Sequence, residues 1–89
     1  MNINKAFILR CVADEYLLIP TGAAAAHVQG LVTLNETGAL LYRKLCDGCS
    51  VEALVDALTS EYDVSADEAH ADIREFLEHM RQLGVVTED

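Results

Sequence analysis

Gly30-Leu31-Val32-Thr33-Leu34-Asn35-Glu36-Thr37-Gly38 is the stretch on which the fold of this chain turns. Leu31 to Leu34 form a short apolar run with two β-branched residues, the composition of a strand. Asn35 follows as a natural N-cap, because its side-chain oxygen can accept from the free N–H groups of a first helical turn. A strand therefore hands over directly to a helix. That helix spans about 36–47, with Leu40, Leu41 and Leu45 at helical spacing up to the stop signal Asp47-Gly48. Ser50 caps a second helix over about 51–61, with Val51, Leu54, Val55 and Leu58 on one face. Ser65 and Glu68 make a capping box for a third over about 66–83. Its apolar positions Ala69, Ile73, Phe76, Leu77, Met80 and Leu83 trace one stripe until Gly84. Val85 and Val86 then either add a short terminal strand or tuck into the core.

Upstream of the opening stretch the periodicity changes from helical to alternating. Phe7, Leu9 and Cys11 alternate with Ile8, Arg10 and Val12, and Ala13-Asp14-Glu15 supplies a turn before Tyr16, Leu17, Leu18 and Ile19. Strands over about 6–12 and 16–20 thus form a hairpin, with Asp14 at its tight position because a short side chain tolerates the left-handed backbone. Pro20 and Gly22 close the second strand. The Ala23 to Ala26 run reads equally as one helical turn or as coil, and the third strand covers about 28–34. The expected fold is α+β: one small winged-helix-like domain over 1–89, with a three-stranded antiparallel sheet followed by three α-helices.

Bulk properties exclude several classes of function. A chain of 89 residues with 52% hydrophobic and 24% charged residues has the composition of one globular domain rather than of a disordered segment. Its charge is unevenly spread. Residues 1–45 carry Lys5, Arg10, Arg43 and Lys44 against Asp14, Glu15 and Glu36, whereas residues 46–89 carry only Arg74 and Arg81 against twelve acids. The helical half is therefore strongly anionic, which repels phosphate backbones and argues against nucleic acid as a partner. No targeting segment is expected from the short run Ala6 to Leu9. Tyr16 to Asn35 lacks Asp, Glu, Lys and Arg, but Pro20, Gly22, His27, Gln29 and Gly30 break it into pieces too short for a membrane span. Three cysteines do not make a secreted disulfide framework, so a cytoplasmic protein is expected.

Two features bear on chemistry. The first is the sheet edge: Leu31, Val32, Thr33 and Leu34 carry neither charge nor proline, the usual means of blunting an edge, so a guest strand can add there unless the strand is already paired on both sides. The second is Cys46-Asp47-Gly48-Cys49, whose spacing suits a redox pair or half of a zinc site. Cys46 falls at a helix C-terminus, where the dipole disfavours a thiolate, and no second ligand pair accompanies it. His70 and His79, nine residues apart, do not share one helix face. Cys46 and Cys49 are thus only weak metal candidates, better read as small buried apolar residues. Nothing pairs a nucleophile with a base or cradles a phosphate, so neither catalysis nor a cofactor is expected.

Taken together, Phe7-Ile8-Leu9-Arg10 with Val12-Ala13, Ile19-Pro20-Thr21-Gly22, and Gly30 through Ala39 give the chain a pattern that resembles the PqqD family. It continues through Leu45, Asp47-Gly48, Glu61-Tyr62-Asp63-Val64, Ala69 with Asp72, and Leu83-Gly84-Val85, and Leu34-Asn35-Glu36-Thr37-Gly38-Ala39 is its most specific part. The resemblance implies a RiPP recognition element: a non-catalytic module that grips the leader of a ribosomally made precursor peptide and presents it to a modifying enzyme, often a radical SAM protein. It further implies that the leader lies antiparallel along the third strand, facing the third helix. The backbone of Leu31, Val32, Thr33 and Leu34 would pair with the guest, and Asp72, Ile73, Phe76, His79 and Met80 would form the opposing wall. On that reading a proline at Val32 blocks docking if the Val32 N–H is given to the guest. A winged-helix DNA-binding regulator and a structural or dimerisation domain are the alternatives, and the chain is expected as a monomer or homodimer.

Overall fold

A computed structural model describes residues 2–22 and 32–87. The expected strand residues 28–31 and the Ala23 to Ala26 run lie outside the described residues. The described elements are β1 (Asn2–Ile3), β2 (Phe7–Val12), β3 (Glu15–Pro20), β4 (Val32–Leu34), α1 (Glu36–Cys46), α2 (Val51–Glu61), α3 (Ala66–Leu83) and β5 (Val86–Thr87). Three antiparallel strands in the order β2-β3-β4 precede three helices, the expected α+β arrangement. A second, two-stranded sheet was not expected from the sequence: β1 pairs with β5, Asn2 opposite Thr87 and Ile3 opposite Val86. Asn4 secures this pairing through its backbone N–H to the Val85 carbonyl (2.8 Å) and its side chain to the Gly84 carbonyl (3.1 Å).

The β2-β3 hairpin turns tighter than expected. Val12 pairs directly with Glu15, so the turn is the two residues Ala13 and Asp14, and both have left-handed backbones, φ 51° and 67°. Two successive positive φ values define a type I′ turn, whose twist matches that of the flanking strands. Asp14 tolerates this conformation, but Ala13 adopts it against the steric preference of its Cβ.

Each helix begins as its cap residue dictates. Asn35 accepts from the Gly38 N–H at 2.7 Å, Ser50 from Ala53 at 3.2 Å and Ser65 from Glu68 at 3.1 Å. Only the serine half of the Ser65/Glu68 box forms, for Glu68 is exposed and its carboxylate makes no return bond to Ser65. Helix α3 ends at Gly84, φ 81°, where the Val85 N–H reaches the Met80 carbonyl and the Gly84 N–H that of Arg81. This is the Schellman pattern, which favours glycine because a Cβ resists the left-handed turn.

Helices and sheet close on one core. Leu18, Leu41, Leu54, Leu58, Ile73, Met80 and Val85 are its fully buried large side chains, joined by Phe7 and Leu34 from the sheet's inner face. Val86 is buried as well as paired, so the terminal valines both tuck in and lead into a strand. Val51 departs from the expected face of α2: at the helix's first position it overhangs the core and stays 36% exposed. The outer sheet face also keeps apolar residues in solvent, with Ile8 42% and Val12 54% exposed. Arg43 of α1 lies over the Tyr16 ring, 5.4 Å from its centroid, a cation–π contact between helix and sheet.

Tyr42 joins helix to sheet from inside. Its hydroxyl donates to the Phe7 carbonyl at 3.3 Å. Burial, followed by the adjacent Cys46 side chain, pushes its pKa from 10.0 up to about 12. The native state thus holds this proton more tightly than the unfolded chain does. The associated stability is complete below the unfolded value near pH 10 and is lost as pH rises toward about 12. In an alkaline titration followed by tyrosinate absorbance, Tyr42→Phe should delete the component titrating near 12, and the wild-type chain should lose stability relative to this variant across the same window. At the hairpin, replacing Ala13-Asp14 by Asn-Gly should raise the urea-unfolding free energy by about 0.5–1 kcal/mol, since both residues accept positive φ more readily.

Candidate functional site

The hairpin determines which backbone groups of β4 are free. In an antiparallel ladder alternate residues exchange both their bonds with the residue directly opposite, and those between point both groups to the other side. A two-residue turn makes its flanking pair, Val12 and Glu15, a bonded one. Arg10 with Leu17 and Ile8 with Ile19 follow by alternation, and the series continues to Ala6, whose carbonyl accepts from the Thr21 N–H at 2.7 Å. Tyr16 and Leu18 therefore turn their groups away from β2 and toward β4, where they face Leu34 and Val32. Thr33 is left with its N–H and C=O directed outward. Among the described residues β3 is the strand paired with β4, and no bond from outside the sheet reaches Thr33.

The opposite edge is engaged at one end. On β2 the same alternation turns the groups of Phe7, Leu9 and Cys11 outward, but Phe7 is engaged at both: its N–H approaches the Asn4 carbonyl at 3.4 Å and its carbonyl accepts from Tyr42. The β4 edge also adjoins a groove. This groove, about 450 Å³, runs between β4, the start of α1 and α3. Leu34 and Leu41 contribute buried apolar floor, and Gly38 lies beside them, where an added Cβ would approach the Asn35 side-chain oxygen to 3.2 Å. Thr33, Asn35 and Thr37 border one side, and Asp72, Glu75, Phe76 and His79 of α3 form the other. Phe76 is half-buried, while Asp72, Glu75 and His79 are exposed.

The residues expected to make the site divide by helical phase. Thr33, Leu34, Asp72, Phe76 and His79 do come together around this groove. Ile73 and Met80 do not line it: they are 1% and 0% exposed and belong to the core. With about 100° between successive residues, Ile73 and Met80 point into the protein beside Ala69 and Leu77, whereas Asp72, Phe76 and His79 lie on the flank of that stripe. Glu75 occupies the same flank and was missed, although its spacing to Asp72 and His79 signals it. Asn35, Thr37, Gly38 and Leu41 were also missed, and the first three sit within the Leu34 to Ala39 motif itself. Val32 lies in the edge strand, but its N–H is directed at Leu18, so a proline there would damage the sheet rather than test the edge. Leu31 lies outside the described residues.

The cysteines are not the buried apolar residues expected. Cys11 and Cys46 are exposed, the first at the hairpin end of β2 and the second at the last position of α1, and Cys49 is half-buried. Among the described residues no group of three or more His, Cys, Asp or Glu side chains gathers to hold a metal ion, and no helix is long and apolar enough to cross a membrane.

Fold and groove together define a class: small α+β domains with a free strand edge beside a helix-walled groove. The chain belongs to the PqqD family, whose model, described as coenzyme PQQ synthesis protein D, matches residues 15–86. No curated protein matches the sequence. Two solved structures are similar over almost their whole length. TbiB1 in complex with the TbiA(beta) leader peptide is 24% identical, with 100% of both chains covered and a TM-score of 0.80. A lasso peptide synthetase B1 complexed with the leader peptide is 23% identical, with 98% of this chain and 96% of that one covered and a TM-score of 0.81. At these identities the likeness establishes the fold.

The division of α3 into core stripe and groove flank is open to measurement. Met80→Ala should lower unfolding free energy by about 2–5 kcal/mol, the cost of a core cavity, whereas Phe76→Ala should cost less than about 2 kcal/mol because part of its ring already meets water. Urea denaturation of the two variants gives the comparison.

Proposed function

We propose that this chain is a leader-peptide recognition module that binds an extended segment of a ribosomally made precursor peptide and holds it for a modifying enzyme. The observation that carries the reading is the outward-directed N–H and C=O of Thr33 beside the apolar floor of Leu34, Leu41 and Phe76. A guest strand pairing antiparallel with β4 satisfies both Thr33 groups, and its alternate side chains enter the groove. Backbone pairing supplies affinity with little dependence on sequence, and the groove supplies selectivity. Membership of the PqqD family and the likeness to two leader-bound structures support the same assignment. The role is recognition rather than catalysis, in the cytoplasm, without a metal or other cofactor.

Two classes of enzyme fit as the one served. The family resemblance favours a radical SAM protein, and the likeness to lasso peptide synthetase B1 favours a lasso peptide synthetase. Affinity capture from the native host, followed by mass spectrometry, distinguishes them. Nucleic acid is disfavoured by the anionic half-chain, and a gel shift at low salt should show no retardation.

Titration with the leader of a precursor encoded beside this gene should give one peptide per chain with Kd on the order of micromolar, the affinity expected when a flexible segment orders on binding. Amide exchange should slow at Thr33 and along the Asp72, Phe76 and His79 flank of α3. Thr33→Pro removes an outward N–H and none that β3 uses, so it should abolish binding while the circular dichroism and the unfolding transition stay near those of the wild-type chain. A leader that binds Thr33→Pro as well as it binds the wild-type chain would refute strand addition at this edge.

A further inference from the structure

Asp72 and Glu75 stand on the groove wall without a cation of this chain in ion-pair range among the described residues. The ion pair recorded nearby joins Arg81 to Glu78 at 3.6 Å and leaves both of them aside. The groove flank of α3 from Asp72 to His79 is on the order of 10 Å long, at about 1.5 Å per residue. An extended guest rises about 3.3 Å per residue and alternates its side chains. The guest residue that pairs with Thr33 shares the outer sheet face with the exposed Thr33 side chain, so its two neighbours both point into the groove. These inward side chains are about 7 Å apart, a separation the wall accommodates. One meets the apolar ground of Leu34, Leu41 and Phe76. The other meets two carboxylates.

Resting on the strand-addition reading above, we infer that the segment this groove accepts carries a Lys or Arg two residues from an apolar side chain, with one intervening residue paired to Thr33. The cation sits against Asp72 and Glu75, and the apolar side chain covers Phe76 and Leu34. A guest with an acidic residue at the cationic position is repelled by both carboxylates, and a neutral one desolvates them without compensation. The excess of acids over residues 46–89 extends the attraction beyond the groove and favours capture of basic segments over acidic ones. Specificity thus comes from charge at one inward position and apolar contact at the other.

A random peptide library displayed on phage and panned against the wild-type chain at low salt tests this. The selected sequences should share Lys or Arg two positions from an aliphatic or aromatic residue. A synthetic peptide of the most enriched sequence should bind Asp72→Asn/Glu75→Gln roughly three- to tenfold more weakly than it binds the wild-type chain, and with a much flatter salt dependence. Both positions are exposed, so the double variant should keep its fold, and its circular dichroism checks this. Selected peptides that lack the basic residue, or equal affinity for the double variant, overturn the charge assignment while leaving strand addition intact. Peptides that bind Thr33→Pro undiminished, or a library that yields no binder, overturn the docking reading itself.

Discussion

The hydrogen-bond alternation set by the turn at Ala13 and Asp14 governs how this molecule can use its sheet. Because those two residues alone connect β2 and β3, Val12 and Glu15 form a bonded pair, and every later pairing inherits its phase. The bond from Thr21 to Ala6 marks the far end of the same series. Transmitted through β3, this phase commits Val32 and Leu34 inward and leaves Thr33 facing out. The chemistry available at β4 is thus decided in a hairpin that does not touch the groove.

Two further constraints give the sheet a preferred side. At β2, Tyr42 and Asn4 occupy both backbone groups of Phe7, so part of that edge is spoken for by the protein's own core. At β4, the helix begins immediately after the strand, and Asn35 caps it while its neighbours Thr37 and Gly38 border the groove. Helix α3 serves two surfaces at once. Ala69, Ile73, Leu77 and Met80 hold it to the core, and the adjacent flank of Asp72, Glu75, Phe76 and His79 is left as a wall. A well-anchored helix keeps such a wall in position without ordering it on binding, which lowers the cost of association.

Much of the fold was legible because its signals are local. Asn35, Ser50 and Ser65 cap helices by bonds to residues three positions on, and Gly84 ends α3 by a conformation of its own backbone. The pairing of β1 with β5 was not legible, for it joins two-residue strands at opposite ends of the chain, too short to show periodicity. The site was half legible. Asp72, Phe76 and His79 were identified with Ile73 and Met80, since apolar spacing reveals a stripe but not which border of it meets a groove. Asn35, Thr37 and Gly38 were visible as a motif, yet their proximity to α3 depends on how the helices pack.

By itself the sequence determined the order of strands and helices, the helix limits, the anionic character of the helical half, and the likeness to a family of peptide-binding modules. These follow from caps, periodicity and charge, which act between residues near in the chain or need no geometry at all. Only the tertiary structure decided that β4 is the outermost strand of the sheet among the described residues, that Thr33 rather than Val32 turns its backbone groups away from β3, and that Glu75 joins Asp72 on the groove wall. The physical reason is that hydrogen-bond phase and helix orientation are relations between segments, set by pairing across β3 and by the burial of Ile73 and Met80.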